Sequence, residues 1–366
     1  MTQAPTLTDG TVTIRAHHEG DAQGSYEQCQ DPVSQQWTTV PTPYAMDDAL
    51  TFVGEIMPKG WADDSEWGFA VEAEGRYAGT ISLRNEGDGR AEIAYGSHPW
   101  VRGTGVMERA LRLMLEWGFT EQGLHTVVWW ANEGNWPSRK VAWRLGFTFE
   151  GSLRRWLPQR GELRNAWVGT LLRGDPREPQ KPWLTSPVLE ADGLRLRPWR
   201  DTDVPRIVEA CSEAETQRWL GQLPAPYDVP AGEDFLASTR LRAANGEAMN
   251  WAVVDPADDD AVLASVGWFN WTPNVECEVG YWTHPDARGR RVATRATAAV
   301  VRYAVEELGV QRVMAFAAVD NVASRRVIEA NGFTQYGVER LGAWVRDGRE
   351  DMALYDLLAT ERRSSR

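Results

Sequence analysis

Polar and apolar residues alternate in TVTIRA (11–16) and again in GLRLRPW (193–199), the two-residue period of a half-buried strand. Polar helical segments follow each. WGFAVEA (67–73), YAGTISLRN (77–85) and RAEIAYGSHP (90–99) predict three further strands, separated by glycine-bearing and charged turns. Ala110, Leu111, Met114, Leu115 and Gly118 then fall on one face at helical spacing. HTVVWWA (125–131) returns to strand, and a short helix from about Ser138 ends at Gly146, where a C-terminal glycine is expected. The order is strands, helix, strand, helix, strand, which is an α/β arrangement.

The pattern occurs twice. Glu92, Tyr95, His98, Arg102, Asn135, Ser138 and Gly146-Phe147 recur 186 positions later as Glu278, Tyr281, His284, Arg288, Asn321, Ser324 and Gly332-Phe333. Upstream the offset is 182: Ile14-Arg15 match Leu196-Arg197, and Trp37 matches Trp219. A constant displacement over so many positions indicates a duplicated domain, with a period too long for a solenoid. The four residues gained by the second copy fall in part in the acidic turn DPADDDA (255–261), where a hairpin loop lengthens cheaply. The expected division is 1–174 and 190–366, joined by 175–189, a linker stiffened by four prolines.

Length agrees, since 366 residues exceed what one core usually holds. There is no run of eighteen apolar residues and the N-terminus lacks the blocks of a signal peptide, so a cytoplasmic protein without a membrane partner is expected. A net charge of -13 argues against nucleic acid as a partner. The three cysteines, Cys29, Cys211 and Cys277, are scattered and offer neither a disulfide framework nor a metal pattern. The densest basic stretch, SLRRWLPQRGELR (152–164), reads as an exposed hairpin or as a surface for an acidic partner. Trp129-Trp130, Trp136 and Trp143 could pack in the core or wall a groove.

The sharpest chemical signal is the turn Arg102-Gly103-Thr104-Gly105-Val106-Met107, which hands a strand directly to a helix. Such a turn presents unpaired N–H groups and the positive end of the helix dipole, and glycine lets the backbone approach a ligand closely. It is an anion cradle. The triphosphate-binding pattern GxxxxGK[ST] is absent, and Glu108 spoils a dinucleotide GxGxxG. A pyrophosphate on a linear arm fits better. The second copy reads Arg288-Gly289-Arg290-Arg291-Val292-Ala293.

With these loops, and with Asn-x-x-Ser before a helix ending in Gly-Phe in both copies, nearly the whole chain resembles two tandem GCN5-related N-acyltransferase (GNAT) domains, of the ribosomal-protein N-acetyltransferase-like branch. The resemblance implies an α/β fold in which each domain is a mixed, mostly antiparallel twisted sheet flanked by helices. It implies that Arg102 to Met107 and Arg288 to Ala293 bind the pyrophosphate of acetyl-CoA or another acyl-CoA, an acyl-pantetheine donor, with no metal. By the same resemblance Asn135 and Asn321 contact donor or acceptor, and Ser138 and Ser324 lie near the thioester sulfur; the same residue types are also ordinary helix caps. Met107 replaces a small residue in one loop and Arg291 a glycine in the other. Arg291 would set a Cβ where the backbone approaches phosphate, so the first copy is expected to hold the donor in the standard way.

An amine attacking such a donor needs a base, and Glu92 and Glu278, on the strand before each loop, are the candidates; a solvent-facing position or an arginine partner is the alternative. His98 and His284 read as turn or packing residues. The leading expectation is an acyl-CoA N-acyltransferase acting on a peptide N-terminus, amino sugar or other small amine. A second is transfer from an acyl carrier protein in natural-product biosynthesis, that is, secondary metabolism. A third is a duplicated binding protein without catalysis. A monomer is expected, because duplication within one chain already imitates a dimer.

Overall fold

The alternation at the start of the chain becomes β1 (Leu7–Thr8) and β2 (Val12–Arg15), with Val12 and Ile14 fully buried. The computed structural model describes residues 4–258 and 261–363, and the chain divides into two compact units, 1–180 and 181–366. Two residues of the acidic turn, 259 and 260, lie outside the described residues.

In the first unit β2 leads to α1 (Ala22–Gln30), α2 (Pro32–Trp37), α3 (Met46–Thr51) and α4 (Met57–Ala62). A meander follows: β3 (Glu66–Ala73), β4 (Arg76–Gly87) and β5 (Arg90–Ser97). Then come α5 (Val106–Thr120), β6 (Thr126–Asn132), α6 (Trp136–Arg144), β7 (Thr148–Gln159) and β8 (Glu162–Leu172). The second unit repeats the plan with β9 (Leu189–Ala191), β10 (Leu194–Arg197), α7 (Val204–Ser212), α8 (Ala214–Trp219) and α9 (Val229–Ala244). It continues with β11 (Met249–Val254), β12 (Val262–Thr272), β13 (Glu276–Thr283), α10 (Val292–Glu306) and β14 (Arg312–Ala318). It closes with α11 (Val322–Ala330), β15 (Thr334–Val345), β16 (Gly348–Leu358) and α12 (Ala359–Arg363).

Each unit has one eight-stranded sheet, in the order β1-β2-β3-β4-β5-β6-β8-β7 and its equivalent β9-β10-β11-β12-β13-β14-β16-β15. All neighbours are antiparallel except β5–β6 and β13–β14. Parallel neighbours need a crossover, and α5 and α10 supply it. The fold is thus mixed, mostly antiparallel α/β, flanked by helices, in both halves.

The helical stripe read from the sequence is the face of α5 that packs on the sheet. Leu111, Met114 and Leu115 are at most 1% exposed, and burying side chains of this size stabilises by about 1.5–3 kcal/mol each. Gly118 has no side chain because a Cβ there would lie 2.8 Å from Leu83 of β4. The helix expected from Ser138 begins two residues earlier, at Trp136, because Asn135 is its N-cap and Pro137 fits the first turn.

The proline-bearing stretch packs on both sides of the division between units. Backbone of Pro176 and Glu178 closes over Gly146, whose φ of 89° and lack of a Cβ allow the approach, and the Arg177 guanidinium lies 4.3 Å from the centre of the Phe119 ring. Leu184, in contrast, is buried in the second core and donates its N–H to Ala243.

Each β-strand-to-helix corner near the start of a unit is locked by a two-pronged ion pair. Arg15 reaches both oxygens of Asp21 at 2.8 and 2.9 Å, and Arg197 both oxygens of Asp203 at 2.8 Å. The second pair is the more enclosed, with side chains 5% and 6% exposed. Removing one partner leaves a buried charge, so Arg197→Met should cost about 3–5 kcal/mol. Replacing both residues with apolar ones should cost far less, and urea unfolding of the two variants checks this.

Candidate active site

The anion cradle forms as the glycine pattern requires. After β5, His98 caps a 3-10 turn at Pro99–Val101 and Arg102 is extended; Gly103 and Gly105 then take φ of 79° and 86° before α5 begins. The amides of Gly103, Gly105, Met107 and Glu108 make no hydrogen bond within the described residues. Nothing lies within 4 Å of where a Cβ on Gly103 or Gly105 would sit. Open space in front of several unpaired donors, at the positive end of a fifteen-residue helix, suits a diphosphate.

The second loop keeps this shape despite its arginine. Gly289 has φ of 75°, and Arg291 occupies the left-handed region at φ 57°, ψ 23°, where Gly105 stands in the first unit. For an L-residue this costs about 1–2 kcal/mol, but the cradle survives. The Met107 side chain points away from the loop; it is 8% exposed and its methyl comes within 3.0 Å of the Cβ position of Gly79 on β4. In the second unit the corresponding pair is Ala293 and Ala264, the volume shared in the other direction.

The loop arginines do something the sequence reading did not anticipate. Arg102 binds Asp31 at 2.6 Å and Ser34 Oγ at 3.1 Å, and Asp31 is the N-cap of α2, accepting the Ser34 N–H. Arg288 binds Glu213 at 2.6 Å and Thr216 Oγ1 at 3.0 Å, and Glu213 caps α8 in the same way. The Arg288 guanidinium holds the Glu213 carboxyl down to about 2, well below the usual range. Each arginine therefore ties the cradle to a helix on the other side of the loop, and its charge is partly spent on that carboxylate.

Beside each cradle the sheet splits. The parallel ladder of β5 and β6 runs only from Arg90–Thr126 to Ile93–Trp129, although β5 continues to Ser97 and β6 to Asn132. The β13–β14 ladder stops equally early, at Glu278–Met314. Past the split, Ala94 to Ser97 have an edge without a strand partner, and an extended chain can be added there.

A hydrogen-bonded cluster spans the gap. Tyr95 on β5 donates to the Ser138 carbonyl at 2.9 Å and lies 2.8 Å from the Ser138 hydroxyl, which also accepts from Trp129 Nε1 on β6 at 3.1 Å. With the Tyr95 proton given to the carbonyl, the Ser138 proton points to the tyrosine oxygen. Burial pushes the Tyr95 phenol far up, and it stays protonated. Tyr281 and Ser324 repeat the contacts at 3.0 Å, with Tyr281 pushed up to about 12 by burial. Ala315 stands where Trp129 would be. The signal for both tyrosines was their recurrence at the common offset.

The two asparagines cap: Asn135 accepts from Ser138 N–H and Asn321 from Ser324 N–H, at 3.2 and 3.0 Å. Glu92 sits one residue before the ladder ends, 3.0 Å from Arg84. Burial raises its carboxyl above the ordinary 4.5, against the pull of Arg84 and with the push of Glu86 and Glu66. Burial raises Glu278 too, and Asn270 donates to it at 2.8 Å. His98 and His284 cap their turns, 3.3 Å from Glu27 and Glu209. All three thiols are buried and pushed up, Cys211 and Cys277 to about 12, which makes them poor nucleophiles. Of the tryptophans, Trp130 stacks on the exposed Trp156 of the basic hairpin, and Trp136 packs on the buried Trp167. Among the described residues no group of three His, Cys, Asp or Glu is placed to hold a metal, and no helix is long and apolar enough to cross a membrane.

Comparison with known proteins gives a family match over more than half of the chain: the model described as an acetyltransferase (GNAT) domain matches residues 11–148 and again 193–334. Over 88 residues the chain is 39% identical to the Bacillus subtilis (strain 168) protein named "Putative ribosomal N-acetyltransferase YdaF", covering 24% of this chain and 48% of that one. Over 121 residues it is 31% identical to spermidine N(1)-acetyltransferase of Escherichia coli (strain K12), covering 32% and 65%. The chain thus spans about half to two thirds of the length of these curated relatives. Among solved structures, Mycobacterium smegmatis RimJ in complex with CoA-disulfide matches 48% of this chain and 87% of its own, at 19% identity and a TM-score of 0.43.

Since a Cβ at Gly105 meets no neighbour, Gly105→Ala should lower stability only by the left-handed strain, about 1–2 kcal/mol. Arg291→Gly should move stability the other way by a smaller amount, because glycine also loosens the unfolded chain. Thermal and urea unfolding of the two variants measure both signs.

Proposed function

The chain belongs to the GNAT acetyltransferase family, and from that premise we propose that it is an N-acyltransferase that moves an acetyl or longer acyl group from a coenzyme A thioester to a primary amine. The observation that supports this best is the adjacency of the amide cradle and the split in the sheet. One holds a diphosphate; the other offers a free strand edge to the amide-bearing arm attached to it. An acyl-CoA bound there supplies an activated carbonyl carbon, so no nucleophilic side chain is needed.

The remaining chemistry falls to the chain's own residues. Gly103, Gly105 and the first amides of α5 orient the donor's anionic end, and Ala94 to Ser97 align its arm beside β5. That positioning is where most of the rate enhancement of a direct attack arises. The amine must lose a proton to attack, and Glu92, raised by burial and lying next to the split, takes it directly or through water. The departing sulfur needs a proton, and the Ser138 hydroxyl, polarised by the Trp129 N–H, turns from Tyr95 to pass it one while taking the Tyr95 proton in exchange, the phenol being reprotonated by the proton that the amine released. Asn135 contributes by fixing the helix start that carries Ser138. Glu278, Ser324, Asn321 and the Arg288–Ala293 loop hold the same places in the second unit. The acceptor is a peptide N-terminus or a small amine, and the setting is cytoplasmic.

If Glu92 is the base, kcat/KM for the amine is present above its raised pKa and falls as pH drops through it, with the acid limb above 4.5. Glu92→Gln should lower kcat/KM about 100-fold or more, a typical loss for a removed general base, and should abolish that limb. A pH–rate profile of thiol release from acetyl-CoA measures both; an unchanged limb in the variant rules Glu92 out.

A further inference from the structure

One pair of facing residues is exchanged between the units. Trp129 and Gly169 stand opposite each other on β6 and β8, and Ala315 and Tyr355 hold the same places on β14 and β16. Each pair brings a single large side chain to the sheet. A Cβ on Gly169 would lie 3.3 Å from Trp129 Cε3 and 2.8 Å from the Thr148 carbonyl oxygen, so the first unit has room for the indole alone. In the second, Ala315 leaves the space free on its own strand, and Tyr355, 1% exposed, brings the bulk from β16. A ring is kept at this level; the direction of its polar group is not.

Trp129 sits at the last pair of the β5–β6 ladder, opposite Ile93, where the gap opens. Its Nε1–H donates to the Ser138 hydroxyl at 3.1 Å. The Tyr355 hydroxyl turns elsewhere: it accepts from Arg325 Nε and donates to Glu329, both at 2.9 Å and both on α11. Among the described residues the Ser324 hydroxyl meets only Tyr281. Arg139, the counterpart of Arg325, lies among rings instead, 4.0 Å from the centre of Phe149 and 4.9 Å from that of Trp167. Gln335 and Ala353 stand in place of those rings in the second unit. Accompanying changes on this scale mean that each arrangement is built into its own core.

A hydroxyl that accepts a hydrogen bond gives up its own proton more readily, because the donor stabilises the negative charge that develops on the oxygen. When the C–S bond of the donor breaks, its electron pair goes to sulfur and the Ser138 proton follows. Ser138 takes the Tyr95 proton, and a proton given up by the amine replaces that one. Charge on Ser138 Oγ is transient in this exchange, and the indole N–H is already aimed at it. Ser324 has no such donor. We propose that Trp129 is a positioning residue that sets Ser138 to protonate the departing sulfur, and that the second unit, which lacks it, holds an acyl-CoA but is slow at this step. The inference rests on the acyl-transfer reading above.

Trp129→Phe keeps a ring and removes the N–H. In the full-length chain it should lower kcat for amine-dependent thiol release from acetyl-CoA about fivefold or more, as when one hydrogen bond to a charged group is lost, with KM for donor and amine unmoved. The selenium analogue of acetyl-CoA separates this from packing, because a selenolate is a weaker base than a thiolate and leaves without a proton. On that donor the variant should turn over like the wild type. An unmoved kcat on acetyl-CoA, or an equal loss on both donors, overturns the proposal while leaving acyl transfer intact. The reverse graft tests the second unit: Ala315→Trp with Tyr355→Gly, in a chain already carrying Ser138→Ala, should raise thiol release about tenfold above Ser138→Ala alone. No rise overturns the assignment of the slow step to Ser324. A wild-type chain that binds acetyl-CoA and acylates no amine in a peptide and polyamine panel overturns the acyl-transfer reading, and this inference with it.

Discussion

A parallel pair of strands that stops pairing halfway is the constraint on which the rest of each unit depends. β5 and β6 are hydrogen-bonded for four residue pairs, and β13 and β14 for three. Beyond those points backbone groups face a gap in the middle of an otherwise continuous sheet. Unpaired backbone groups are costly unless something else satisfies them. Here the side chains of Tyr95, Ser138 and Trp129 bridge one level of the gap, and the strand edge itself has no partner strand. The helix that must cross from β5 to β6 starts at the mouth of the same gap, so the free amides at its N-terminus and the free edge of the strand are brought together by topology alone.

Much of this was legible in the chain. The positive-φ glycines announced the cradle, alternation announced the strands, and the 186-residue offset announced two copies. The split was not, because Ile93-Ala94-Tyr95 reads like any other strand interior; pairing is a property of the neighbour, and β6 lies beyond a helix. The work of Arg102 was hidden for a related reason. It looked like a charge for a ligand, and its partner Asp31 is a helix cap seventy-one residues earlier. The Asn-x-x-Ser motif proved to hold both kinds of residue at once: the asparagine caps the helix, and the serine hydroxyl enters the cluster with Tyr95.

The copies were expected to differ at the donor loop. Arg291 was read as an obstacle at the donor loop, yet its backbone occupies the same left-handed region as Gly105, and the left-handed strain is small enough for packing elsewhere to absorb. The larger difference lies on the opposite side of the strand, where Gly96 and Gln28 become Trp282 and Ala210. Neither exchange is conspicuous alone. Together they exchange a polar side chain on the helix for a larger apolar one on the strand.

The central claim is that the cradle and the split act as one donor site, and a crystal structure of the chain grown with coenzyme A tests it most directly. The account predicts the diphosphate within hydrogen-bonding distance of the Gly103 to Met107 amides, and the pantetheine arm laid along Ala94 to Ser97. Coenzyme A bound elsewhere, with the gap between β5 and β6 closed or vacant, would contradict it.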